Sequence, residues 1–233
     1  MRIAMWSGPR NISTAMMYAF GNRQDFAVWD EPFYAAYLSD TDIDHPLKEE
    51  VIENHESNAE TVAKACVGNI PDQKENFYMK HMPFHMLKEF PMDWANSCFN
   101  AYLIRHPARV IASYAAKREN PTLRDIGFLQ QVEMFEKFPG PVFDSDDIRA
   151  NPEKMMRKVC REFGLRFDEA MLAWEPGPKH FDGAWAPHWY GAVHNSTGFA
   201  NPEGPLPELK NDLAELCNLA LPLYERLAEQ KVS

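Results

Sequence analysis

Five short apolar runs, each followed by a stretch with helical spacing, constrain this chain more than any other feature. Residues 2–6, 26–30, 77–80, 101–104 and 141–143 read as strands. Short apolar runs alternating with helices indicate a parallel sheet covered by helices on both faces. Residues 11–22 carry Ile12, Ala15, Met16, Ala19 and Phe20 at helical spacing. Pro107 stands where a helix can begin, because its missing N–H is not needed there. Val110, Ile111, Tyr114 and Ala115 then give that helix an apolar face. Residues 126–138 form a further helix with Leu129, Val132 and Phe135 on one side, and a short helix is expected around 84–90. Residues 151–163 begin with Asn-Pro and stop before Gly164, a good cap at each end. A closing helix covers 209–229. The chain reads as one α/β domain over 1–233, with an acidic helical insertion at 39–69 and an aromatic-rich ordered loop at 175–207.

Bulk properties narrow the function classes. The chain has 233 residues, 45% of them hydrophobic, enough for a sizeable core. Its formal charge of −10 disfavours general binding to nucleic acid or to an anionic membrane. A polyanionic ligand must therefore be met locally by a few placed cations and backbone N–H groups. Cys66, Cys98, Cys160 and Cys217 lie far apart with no CxxC pair, which suits reduced thiols in a cytoplasmic protein. No secretory signal or membrane span is expected from the apolar pattern.

Two stretches carry the chemistry. In the first, Ser7-Gly8-Pro9-Arg10-Asn11-Ile12-Ser13-Thr14 joins the first strand to a helix. Such a turn gathers free N–H groups and the positive helix end at one point, a site for phosphate. Arg10 adds a fixed charge, and Ser13 and Thr14 add hydroxyl donors. The segment is not a Walker A loop, since Ile12 and Ser13 stand where its second Gly and its Lys belong. An ordinary capped helix start would use the same residues, so this stretch alone leaves both readings open. In the second stretch, Arg105 ends a strand, and Ser113 lies about two helical turns further on.

Together these stretches resemble the two nucleotide-binding motifs of the sulfotransferase superfamily. There, a strand–loop–helix with a basic residue and a Ser/Thr run holds the 5′-phosphosulfate of 3′-phosphoadenosine 5′-phosphosulfate (PAPS). A segment with Arg, Pro and Ser holds the 3′-phosphate. Arg105, Pro107 and Ser113 match the second motif in type and spacing; Arg10, Ser13 and Thr14 match the first, with Asn11 and Ile12 inside the same loop. A later Phe-Gly-Leu-Arg-Phe-Asp, ending at Asp168, resembles the family's late helix end. The resemblance implies a three-layer P-loop-type parallel β-sheet flanked by helices. It also implies a PAPS-dependent transferase acting on a hydroxyl or amine of a small-molecule acceptor. Two departures stand out. Ile12 replaces the glycine of the usual Ser-Gly-Thr-Thr, and no late Arg-Lys-Gly is visible; Lys179, Asn195 and Ser196 are candidate substitutes.

Transfer needs an in-line acceptor, charge on the leaving phosphate stabilised, and a base. Lys80 and His81, in Lys-His-Met-Pro, resemble the Lys-Thr-His-Leu-Pro of cytosolic sulfotransferases. That resemblance implies Lys80 on the bridging oxygen and His81 as base. Glu31, in Glu-Pro-Phe, resembles the carboxylate base of carbohydrate and protein-tyrosine sulfotransferases, so two bases stay in play. No metal is expected: His180, His188 and His194 cluster in the late loop without specific ligand spacing. The aromatics Phe181, Trp185, Trp189, Tyr190 and Phe199 fit either a lid over the acceptor or a loop packed on its own domain. Two other functions compete: an ATP-dependent small-molecule kinase on the same fold, and a nucleotide-binding relative without catalysis. The oligomeric state is open, a homodimer included.

Overall fold

The strand that opens the chain, β1 (Arg2–Ser7), is the centre of the sheet, and Ile3 to Ser7 are buried. The computed structural model describes residues 1–117 and 120–232. β2 (Phe26–Asp30), β3 (Asn76–His81), β4 (Phe99–Ile104) and β5 (Val142–Asp144) complete one sheet. Its order is β2-β3-β1-β4-β5, with every pair parallel. Five apolar runs thus become five strands, buried over most of their length as a parallel sheet requires, with Phe99 at the start of β4 exposed.

Helices form where the apolar spacing placed them, with local differences. The first runs Ser13–Gly21, two residues later than its pattern, because Arg10 and Ile12 adopt left-handed backbone before it. Pro107–Ala115 begins at its proline. The expected 126–138 helix is two, Leu123–Ile126 and Phe128–Lys137, split at Gly127 (φ 71°), a conformation glycine takes without a Cβ clash. Around 84–90 only a single 3₁₀ turn, Pro83–His85, forms. Asn151 caps Pro152–Glu162 by accepting from the Lys154 N–H. The 39–69 insertion folds as Lys48–Asn54 and Ala59–Val67. The late loop holds two short helices, Ala186–Trp189 and Gly191–His194. The closing helix, Asp212–Ala228, packs Leu216 and Ala220 against Val110, Ile111, Ile126 and Phe128.

Candidate functional site

All five strands point the same way, so their C-terminal ends share one edge. Buried polar residues gather there: Ser7 ending β1, Asp30 ending β2 with Glu31 after it, Lys80 in β3, Arg105 after β4 and Asp144 ending β5. The chain leaves β1 for β2 and β3 on one side, while β4 and β5 lie on the other. In open parallel sheets that divergence makes the ligand crevice. Here a cavity of about 320 Å³ opens at the same edge.

One wall is the loop from Pro9 to Thr14 with Arg105, Ser113 and Arg149. Arg10 (φ 61°) and Ile12 (φ 54°) both take left-handed backbone. Left-handed residues in such a loop turn N–H groups into an anion-holding concavity. No side chain caps the helix that follows, so its first N–H groups are left for a ligand or water. The two motifs, far apart in sequence, are bonded directly. Asn11 Nδ2 donates to the Leu103 carbonyl (2.9 Å), Arg105 Nη1 to the Arg10 carbonyl (2.6 Å), and Arg10 Nε to Ser113 Oγ (2.9 Å). Burial, and then the neighbouring Arg105 charge, lower the Arg10 pKa. The remaining donors of Arg105 hold Glu203 at 2.5 and 3.0 Å.

The facing wall is an ionic cluster. Lys80, fully buried, donates to Asp30 (2.9 Å), Glu31 (2.5 Å) and the Tyr190 hydroxyl (2.6 Å). Burial alone would lower the Lys80 pKa; the charges of Asp30 and Glu31 outweigh it and hold the ammonium above its usual value. Burial, reinforced by Asp30, raises the Glu31 carboxyl although Lys80 opposes it. Glu31 also carries left-handed backbone (φ 41°), the third such residue on this cavity. Non-glycine residues held in this region store strain that tends to collect at functional sites. Tyr190 accepts from Trp185 Nε1 (2.9 Å) and donates to Asp30 (2.7 Å). His85 lies against Tyr34 with parallel rings 4.5 Å apart, its Nδ1 3.8 Å from Glu31. Burial lowers its pKa well below the usual value, so the ring is neutral.

His81, the other expected base, does not line this cavity. Its ring stacks on Trp6 (4.7 Å) and meets Trp94 at a tilt (4.8 Å), its Nε2 has no partner, and burial pushes its pKa down to about 3. The reason is the pleat: neighbours in a strand point to opposite faces, so Lys80 on the cavity side sends His81 away. Glu31, Lys80, Arg10, Asn11, Ile12, Ser13, Thr14, Arg105 and Ser113 all line the one cavity. Lys179, Asn195 and Ser196 do not; their side chains bond the carbonyls of Glu175, Gly191 and Val193. Arg149 stands in the wall instead.

The late loop is at once packed and part of the cavity. Trp185 and Tyr190 are buried, while Trp189 lines the space beside His45. Asp182 ties the loop down through Tyr18 (2.7 Å) and His194 (3.0 Å). Residues missed from sequence are Asp30 as anchor of Lys80, His85, Arg149 and the Tyr190 hydroxyl. Only Asp30 had a local signal, its place at a strand end beside Glu31. Among the described residues no three His, Cys, Asp or Glu gather as a metal site, and no helix is long and apolar enough to cross a membrane.

Fold and cavity define a parallel α/β protein with its site at the strand ends, cationic on one wall and carrying a lysine–carboxylate cluster on the other. The chain belongs to the sulfotransferase domain family, whose model matches residues 1–231. It is 34% identical over 233 residues to the branched-chain-amino-acid aminotransferase-like protein 2 of Arabidopsis thaliana, covering 97% of this chain and 41% of that protein. It therefore spans about two fifths of the length of the curated relatives it matches. Two solved structures share the fold. The sulfotransferase domain from the curacin biosynthetic pathway is 15% identical at a TM-score of 0.56, over 93% of this chain and 96% of that one. The sulfotransferase from Alicyclobacillus acidocaldarius is 11% identical at 0.56, over 97% and 94%.

Proposed function

We propose that this domain transfers a sulfuryl group from PAPS to a hydroxyl or amine of a small acceptor. The supporting observation is the single cavity in which the Arg10–Thr14 loop, Arg105 and Ser113 face Glu31 and Lys80. The donor supplies an activated sulfuryl group. The N–H groups of the uncapped helix start, with Arg10, Ser13 and Thr14, suit its 5′-phosphate. Arg105 and Ser113 suit its 3′-phosphate.

The remaining roles fall on the facing wall. Glu31 takes the acceptor's proton. A carboxyl raised toward neutral pH is a better match to that task than an ordinary one. Lys80 stays charged and faces the oxygen that leaves with the nucleotide, where negative charge develops. Tyr190 and Asp30 position Lys80 rather than touch substrate. The neutral ring of His85 offers a hydrogen-bonding nitrogen beside Glu31 for the acceptor. Trp189, Tyr34 and Met82 give the acceptor end apolar area, favouring a compact, partly aromatic or aliphatic molecule.

The test is binding first, transfer second. Calorimetry with adenosine 3′,5′-bisphosphate, AMP, and ATP with Mg²⁺ is compared between wild type and Arg105→Ala. The bisphosphate should bind, and Arg105→Ala should weaken it about ten- to a hundredfold while leaving AMP nearly unchanged. Binding of ATP with Mg²⁺ alone, or equal bisphosphate affinity in both proteins, would refute the donor assignment. A panel of phenols, alcohols and amines with PAPS then identifies the acceptor class.

A further inference from the structure

Glu203 sits inside a cage of arginines beside the donor wall. Its carboxylate takes Arg105 with two bonds, lies 3.0 Å from Arg149 Nη1 and 3.7 Å from Arg109 Nε. These arginines come from three places: the end of β4, the helix Pro107–Ala115 and the helix Ser145–Ala150. Two of them also hold the chain around Glu203. Arg149 Nε donates to the Asn201 carbonyl (2.8 Å) and Arg109 Nη2 to the Gly204 carbonyl (2.7 Å). Otherwise this segment has no helix or strand; Ala200, Asn201, Pro202, Gly204, Pro205 and Leu206 are exposed while Glu203 is only 17% so. The arm is fastened chiefly through the cage.

The cage carries more positive charge than its partners neutralise. Arg109 also meets Asp146 at 3.3 Å, and Arg10 adjoins through its carbonyl, which accepts from Arg105. Three guanidiniums thus meet two carboxylates among the described residues. A carboxylate offers one charge and two acceptor oxygens; a phosphate monoester offers up to about two charges and three oxygens. Three converging guanidiniums match the second better than the first. Although burial acts to raise it, the contacts and charge of Arg105, with Arg149 and Arg109, hold the Glu203 carboxyl below its usual range. It is therefore an anion in the cage at neutral pH.

We infer that Glu203 is an internal competitor for the donor's 3′-phosphate, so that binding a 3′-phosphorylated nucleotide and releasing the arm at 200–206 are one event. The inference rests on the donor reading above and adds a selectivity determinant to it. A nucleotide without a 3′-phosphate has nothing to exchange for the carboxylate and leaves the arm seated. A 3′-phosphate binds only the fraction of molecules with the arm open, so its apparent dissociation constant is raised by the inverse of that fraction.

Two measurements test this. In Glu203→Gln, size is kept and charge is lost. By calorimetry it should bind adenosine 3′,5′-bisphosphate about tenfold tighter or more than wild type, with AMP affinity changed by less than about twofold. Unchanged or weaker bisphosphate binding would overturn the inference while leaving the donor reading intact. If neither protein bound the bisphosphate at all, the donor reading would fall and this inference with it. The second measurement needs no variant. Cleavage of wild type after Glu203 by a glutamyl endopeptidase should accelerate when the bisphosphate is added and stay unchanged with AMP. Slower or unchanged cleavage after Glu203 with the bisphosphate bound would refute arm release.

Discussion

Lys80→Met is the most informative perturbation, because the lysine is buried against two carboxylates. Its side chain is 1% exposed, and its partners Asp30 and Glu31 are 1% and 8% exposed. Methionine fits the volume of the stem but removes the ammonium. Two buried carboxylates are then left facing each other without a counter-charge. Removing one partner of a buried ion pair costs about 3 to 5 kcal/mol. At about 2 to 4 °C per kcal/mol for a chain of this size, the melting temperature should fall by about 6 to 20 °C. The loss should also depend on pH, with a defined sign. Glu31 already has its folded pKa raised above the unfolded value. Its contribution is therefore fully present below the unfolded pKa and is lost as pH rises through the folded one. Without Lys80 that folded value rises further, so the variant's deficit should be larger at about pH 8 than at about pH 5.5. Urea denaturation at both pH values reads this directly. A deficit below about 1 kcal/mol, or one that does not grow with pH, would refute the ionic reading of the cluster.

Three other perturbations separate the remaining roles. Glu31→Gln should lower kcat about 10²- to 10⁴-fold, and wild-type activity should rise with pH through the raised Glu31 pKa; an acid limb that persists in the variant would remove Glu31 as base. His81→Phe keeps the aromatic contacts with Trp6 and Trp94 and discards an unpartnered nitrogen, so stability and kcat should stay near wild type, and a loss of kcat in a stable variant would place His81 in the chemistry. Ile12→Gly should be more stable than Ile12→Ala in urea titrations, since alanine keeps the left-handed penalty of about 1 to 2 kcal/mol that glycine escapes; the reverse order would mean that φ 54° is not strained.

The sheet was legible because its signal is local and strong. A strand buried on both faces must be apolar through its middle, and each of the five runs is, with Arg2, Asp30 and Lys80 only at the ends. The split at Gly127 was less legible, since one glycine inside a helical pattern is compatible with continuity. The nearness of the Arg10–Thr14 loop to Arg105 and Ser113 was readable because both motifs sit at strand ends, where the parallel order brings them together. The placing of His81 off the cavity was legible in principle, since strand alternation alone requires Lys80 and His81 to face apart. The Tyr190 hydroxyl and Arg149 come from segments whose distance along the chain says nothing about nearness in space. Glu203 lies in an exposed arm with no periodicity, and only the converging arginines give it meaning.

The Tyr190 junction has a consequence for how this protein matures. A nascent chain that has emerged as far as β5 already carries every strand of the sheet. Asp30 and Lys80 are then in place, but the side chains that cover them, Trp185 and Tyr190, are still unsynthesised or inside the ribosome. Until those aromatics arrive, the lysine and its carboxylates remain hydrated, and the partly made domain can hold an ion pair that water would later be costly to remove. Dehydration of this end of the sheet therefore waits for residue 190, and a ribosome that stalls before it releases a chain whose strands are all made and whose Lys80 cluster is still wet.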